Sequence, residues 1–173
     1  MPVIILIALN QIVMKKIFFA VALLATVFVQ QSFAQDSTRT QTSPLLTSYY
    51  VLKDALVSSN PNAAAASAGD FVKAVDAIDK EIKKMVTPES RSALVSDAAA
   101  ISQSKDIKVQ REKFASLSAN VFTLAKMVKL STEPVYQQYC PMKKASWLIN
   151  NKAIKNPYYG SAMLTCGSVK ETL

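Results

Sequence analysis

The chain has 173 residues, half of them hydrophobic, with 20 basic and 12 acidic side chains, two cysteines and no histidine. Its length suits one domain around one core. The lack of histidine removes the usual general base, and neither a glycine-rich phosphate loop nor a Gly-x-Ser-x-Gly elbow is present, so no enzymatic activity is expected.

In chain order, the first feature is an export signal. Met14-Lys15-Lys16 precedes the apolar run 17–29, followed by Gln30-Gln31-Ser32-Phe33-Ala34 and the polar Gln35-Asp36-Ser37. This supplies a basic n-region, an h-region and small residues at −3 and −1, Ser32 and Ala34. Residues 1–34 are therefore expected to be a signal peptide, with Met14 as the true start and the cut after Ala34. The apolar run is short of the roughly 20 residues that a membrane span needs. No cysteine near residue 34 offers a lipid attachment point. The mature chain is expected to be periplasmic or secreted, with no stable membrane anchor. Loss of Lys15 and Lys16 lowers the net charge from +8 to +6. A basic exported protein is expected to meet anionic surfaces or acidic proteins rather than nucleic acid, but charge spread along the helices reads first as a merely solvated surface.

Residues 35–43 are polar and aperiodic, which predicts a flexible leader. A single domain is expected over 44–173. Ser43-Pro44, Asn60-Pro61 and Thr87-Pro88 each put a capping side chain before a proline at the first helical position, and Asp106 is a fourth cap. Apolar residues then recur every three or four positions. The stripes are Leu45, Tyr49, Leu52, Leu56; then Ala68, Phe71, Val75, Ile78, Ile82, Met85; then Leu94, Ala98, Ile101; then Phe114, Leu117, Val121, Leu124, Val128. Each makes one apolar face on a helix. With short linkers, the fold class is mainly α: a four-helix up-down bundle over 44–131. A short irregular, β-containing C-terminal tail, 132–173, is expected to pack on it.

That tail holds both cysteines, the only tryptophan and four of the six tyrosines. Residues 135–140 form a β-prone run that Pro141 ends, and Asn156-Pro157-Tyr158-Tyr159-Gly160 is turn chemistry. Cys140-Pro141-Met142 and Met163-Leu164-Thr165-Cys166 each place a thiol near a thioether. Brought together, Cys140, Met142, Met163 and Cys166 would form a soft donor set that selects Cu(I) or its mimic Ag(I). The competing reading is a Cys140–Cys166 disulfide, worth about 3.5 kcal/mol in the chain-entropy model, with both methionines as plain packing. Tyr136, Trp147, Tyr158 and Tyr159 are expected to shield the site rather than ligate. Lys143 and Lys144 form a solvated turn, or steer an acidic partner.

The tail segments Gln138-Tyr139-Cys140-Pro141-Met142, Ser146-Trp147-Leu148, Ile154-Lys155-Asn156-Pro157-Tyr158-Tyr159-Gly160 and Met163-Leu164-Thr165-Cys166-Gly167 carry a resemblance. Together with Tyr49-Tyr50-Val51-Leu52-Lys53-Asp54-Ala55-Leu56 and Gln110-Arg111-Glu112-Lys113-Phe114-Ala115-Ser116-Leu117-Ser118, they resemble the family named domain of unknown function 3347. The likeness runs from about residue 44 to 173. The family comprises exported bacterial domains, alone or fused to periplasmic adaptor subunits of heavy-metal efflux pumps. The resemblance implies a helical domain tied to copper or heavy-metal handling, with Cys140, Met142, Met163 and Cys166 as ligands and a pump adaptor or other periplasmic protein as partner. One departure is the short Lys143-Lys144-Ala145-Ser146 link between Met142 and Trp147, where the family has a longer segment containing a glycine.

Overall fold

The structure is a computed structural model that describes residues 42–78 and 80–173. The expected signal peptide, its Met14 start and the leader up to residue 41 lie outside the described residues. Four long helices, α1 (Pro44–Val57), α2 (Pro61–Asp76), α4 (Pro88–Gln103) and α5 (Ile107–Met127), and a short α3 (Lys80–Met85) precede a small sheet. The strands are β1 (Tyr136–Cys140), β2 (Ala145–Ile149) and β3 (Ser168–Thr172), with a 3-10 turn at Gly160–Met163 before the last. The protein is thus mainly helical with a three-stranded antiparallel sheet at its C-terminal end.

The helix starts follow from their caps. Side-chain oxygens of Ser43, Asn60, Thr87 and Asp106 accept from the backbone N–H of Leu46, Ala63, Ser90 and Lys108 at 3.2, 3.0, 3.2 and 2.8 Å. Each satisfies a donor with no partner inside its helix. Just ahead of α1, the Ser43 N–H donates to the Leu130 carbonyl at 2.7 Å, and Thr42 pairs with Ser131. This ties the entry of α1 to the exit of α5.

Long helices pack on their neighbours in sequence, α1 on α2, α2 on α4 and α4 on α5, while α5 also carries β2. Leu46, Tyr49, Leu52, Leu56, Phe71, Val75, Leu94, Ile101, Phe114, Leu117 and Val121 form the fully buried interior. Each large apolar side chain of this kind contributes about 1.5–3 kcal/mol from burial alone.

The second helix departs from its expected length. A single helix through Met85 is predicted by the stripe, but α2 stops at Asp76 and residues 80–85 form a separate short helix. Ala77 still donates to the Lys73 carbonyl, and Ile78 closes a tighter turn onto Val75. Val75 is the last fully buried member of the stripe; Ile78 and Ile82 are half-buried and Met85 is 54% exposed. Helices persist in proteins because a face is packed, and past Val75 that packing thins.

In the sheet the order is β2-β1-β3, with Gln138 opposite Trp147 and Cys140 opposite Ala145. A bulge at Gln137/Gln138 shifts the β1–β3 register. Strand β2 is an edge, yet Trp147, Leu148 and Ile149 are all buried. Its outward-facing Leu148 N–H donates to the Tyr49 hydroxyl at 3.0 Å, and that hydroxyl also shares a 2.5 Å hydrogen bond with Ser118. One buried tyrosine therefore joins α1, α5 and the edge of the sheet, and it occupies an edge that would otherwise invite strand pairing. Its ring stacks on Phe114 at 5.3 Å.

Tyr49→Phe keeps the ring but leaves the Leu148 N–H without its acceptor and the Ser118 hydroxyl without its partner. We expect a loss of about 1–3 kcal/mol, read in urea unfolding as a lower midpoint at unchanged m.

Candidate metal centre

The two cysteines reach each other from opposite ends of the tail. Cys140 ends β1, and residues 141–144 turn the chain into β2, closed by the Lys144 N–H donating to the Cys140 carbonyl at 2.9 Å. Lys144 takes φ +56° there, the left-handed conformation that such tight connections require. Cys166 lies just beyond the 3-10 turn, its N–H donating to the Met163 carbonyl at 3.0 Å. The sulfurs are 3.3 Å apart, Cys140 fully buried and Cys166 half-exposed, and both are free thiols.

That spacing is informative. A cation bound tetrahedrally at about 2.3 Å from each sulfur would part them to about 3.8 Å. A disulfide would draw them in to about 2.05 Å. The observed spacing lies between the two, within reach of either.

The surroundings of the two sulfurs differ. Burial by itself pushes the Cys140 thiol up. Hydrogen bonds from the Lys143 N–H, the Cys166 thiol, the Asn156 side chain and the Met142 N–H outweigh burial and hold it below the ordinary thiol range. Backbone N–H groups turned onto one atom in a tight turn stabilise an anion there. The Cys166 thiol is pushed up, first by donating its hydrogen bond to Cys140, then by burial and the neighbouring Cys140 charge. The anion-stabilised sulfur is thus the buried one and the solvent-facing sulfur is its donor.

Asn156, which sequence reasoning took only as turn chemistry, is the residue that connects the two cysteines. It is fully buried, and its amide donates to the Cys166 carbonyl at 2.8 Å and to the Cys140 sulfur. Its Oδ1 accepts from the Tyr158 N–H, its N–H donates to the Leu164 carbonyl, and its carbonyl accepts from Gly160. An Asn before a proline gives no hint in sequence of a buried amide with every group engaged. Arg111 holds the same loop from α5, donating to the carbonyls of Pro157 and Leu56 at 2.9 Å each. Gly160, at φ +57°, sits so close that an added Cβ would lie 2.6 Å from the Arg111 guanidinium.

Of the four expected ligands, the structure brings the two thiols together and carries the thioethers on the flanking turns. Met142 is 64% exposed in the β1–β2 turn, and Met163 is half-buried at the end of the 3-10 turn. Among the described residues no group of three or more His, Cys, Asp or Glu side chains gathers at a metal-binding spacing.

The aromatic residues divide. Trp147 is fully buried, and a Cβ on Gly167 would come within 2.7 Å of its ring, so the indole backs the Cys166-Gly167 peptide. Tyr158 meets Trp147 edge-on at 6.0 Å and donates its hydroxyl to the Ser146 carbonyl at 2.5 Å. Burial raises the Tyr158 pKa well above its ordinary value, in keeping with a hydroxyl that stays protonated as a donor. Tyr159 is half-buried at the start of the 3-10 turn. Tyr136 begins β1, four residues before Cys140, with Lys152 5.8 Å above its ring.

The family model described as "Protein of unknown function (DUF3347)" matches residues 45–133, just over half of the chain. The chain belongs to that family. The matched segment is the helical part and ends before Cys140. No curated protein and no solved structure matches the chain.

Asn156→Ala removes donors from both cysteine residues and leaves the Tyr158 N–H unpaired. We expect a destabilisation of about 2–3 kcal/mol. In thiol labelling of the reduced wild type, Cys166 should react fast and Cys140 slowly; in the variant, Cys140 should react nearly as fast as Cys166.

Proposed function

We propose that this is an exported binding module that captures Cu(I) or Ag(I), with Cys140 and Cys166 as thiolate ligands and Met142 and Met163 as thioethers that complete the set. The observation that carries the reading is the convergence of two free thiols to 3.3 Å with backbone N–H groups turned onto one of them. Thiolate and thioether donors favour soft monovalent cations over hard ones. Binding exchanges two thiol protons for one cation, so it releases protons and tightens as pH rises. Backing by Trp147 and Tyr158 keeps water from the inner side of the pair.

In this reading the four long helices are an up-down bundle, a rigid base that contributes no ligand. The module binds rather than catalyses. It works in the periplasm or outside the cell after cleavage behind Ala34, and serves copper homeostasis or heavy-metal efflux beside a pump adaptor or another periplasmic protein. The family to which the chain belongs has no assigned activity that argues for or against this.

The same 3.3 Å spacing favours a second reading, in which Cys140 and Cys166 pair as a disulfide that staples an interaction domain. Thiol counting on protein isolated from the periplasm separates the two: two free or metal-protected thiols support capture, and none supports the staple.

The direct test is titration of reduced protein with Cu(I) against a competing chelator. We expect one tight equivalent. Cys140→Ser/Cys166→Ser should lose it entirely, and Met142→Leu should weaken binding by about tenfold or less, as for a ligand added from an exposed turn. Unchanged affinity in the double serine variant contradicts the reading.

A further inference from the structure

The tail is far more basic than the rest of the chain. Residues 135–173 contain Lys143, Lys144, Lys152, Lys155 and Lys170 against one acidic residue, Glu171, a local net charge of +4. Glu171 is already taken, 2.9 Å from Lys126. Among the described residues Lys143, Lys144 and Lys155 make no ion pair.

Three of these lysines lie on the segments that carry or brace the thiols. Lys143 and Lys144 sit in the turn that follows Cys140, and the Lys143 N–H itself reaches the Cys140 sulfur. Lys155 precedes Asn156, the residue bonded to both cysteines. Behind the loop, the Arg111 guanidinium adds a further positive charge.

A site built to collect a free monovalent cation would not be flanked in the chain by lysines without acidic partners. We propose that the pair takes its metal from an anionic complex, and that the positive charge of the flanking lysines draws that complex in. This rests on the reading of Cys140 and Cys166 as soft-metal ligands and names the chemical form of their substrate. A field of one sign around a site raises the local concentration of oppositely charged ligands and their on-rate. It also repels a bare cation by the same physics. The transfer is a ligand exchange without electron movement. All bonds from the cation to its donor ligands break, bonds to the two thiolate and two thioether sulfurs form, every donor ligand leaves with its charge, and two thiol protons pass to solvent. The product carries one negative charge on the bis-thiolate centre, which the same lysines offset.

The test compares two Cu(I) donors in stopped flow with the full reduced protein: the trianionic bis(bicinchoninate) complex and the cationic tetrakis(acetonitrile) complex. Raising ionic strength from about 20 mM to about 500 mM shortens the screening length from roughly 20 Å to under 5 Å. Transfer from the anionic donor should slow by about tenfold over that range, and transfer from the cationic donor should not slow. Lys143→Glu/Lys155→Glu, which brings the tail's net charge from +4 to zero, should reproduce the same split at low salt. An anionic-donor rate indifferent to salt in the wild type overturns the proposal, whether or not the variant folds. So does equal slowing from both donors in the variant, which marks damage to the site rather than lost steering. Absence of transfer from either donor to the wild type removes the thiol-ligand reading itself, and this inference with it.

Discussion

A sheet of three five-residue strands needs a buried hydrophobic face or a packed helix to be stable, and this one packs on α5. Here the anchor is the Tyr49 hydroxyl, which accepts from Leu148 on the free edge of β2 and bonds Ser118 on α5 while its ring stacks on Phe114. Burial pushes its pKa far above the ordinary tyrosine value, so it remains a neutral group able to donate and accept at once. From this joint the rest of the tail follows: β2 is locked on α5, β1 pairs with β2, and Cys140 at the end of β1 takes a fixed position beside Cys166.

The second half of the site depends on a different device. Residues 150–167 have little regular structure, and their backbone is held by buried polar side chains instead. Asn156 serves both cysteine segments, and Gln138 donates to the Ala153 carbonyl at 3.1 Å. Arg111 draws the loop onto the α1–α2 corner through Pro157, Leu56 and Ser59. Buried polar groups of this kind are costly unless satisfied and specify one arrangement when they are. The resulting thiol pair is precise on its inner side and open on its outer side, where Cys166 and Met142 face solvent.

Much of the helical part is legible in the sequence because its signals are local. Each proline-preceded cap is a two-residue pattern, and the stripes through Leu45, Phe71, Leu94 and Phe114 mark faces that are buried. The break after Asp76 is not legible, since Ile78 and Ile82 continue the period and only the tertiary surroundings reveal that the packing thins there. In the tail, the run 135–140 is readable as a strand and the kinship of Cys140 and Cys166 is readable from their matched thioethers. The pairing of β2 and β3 with β1, the edge bond from Leu148 to Tyr49, and the role of Asn156 all join residues far apart in the chain, and no local pattern encodes them.

The central claim is that Cys140 and Cys166 hold a soft cation through sulfur. X-ray absorption at the copper edge of Cu(I)-loaded protein examines this at the metal itself. The account predicts a first shell of sulfur alone, with no nitrogen or oxygen, that is lost together with the bound copper in the Cys140→Ser/Cys166→Ser variant. A first shell of nitrogen or oxygen, or a sulfur shell that survives in that variant, would contradict it.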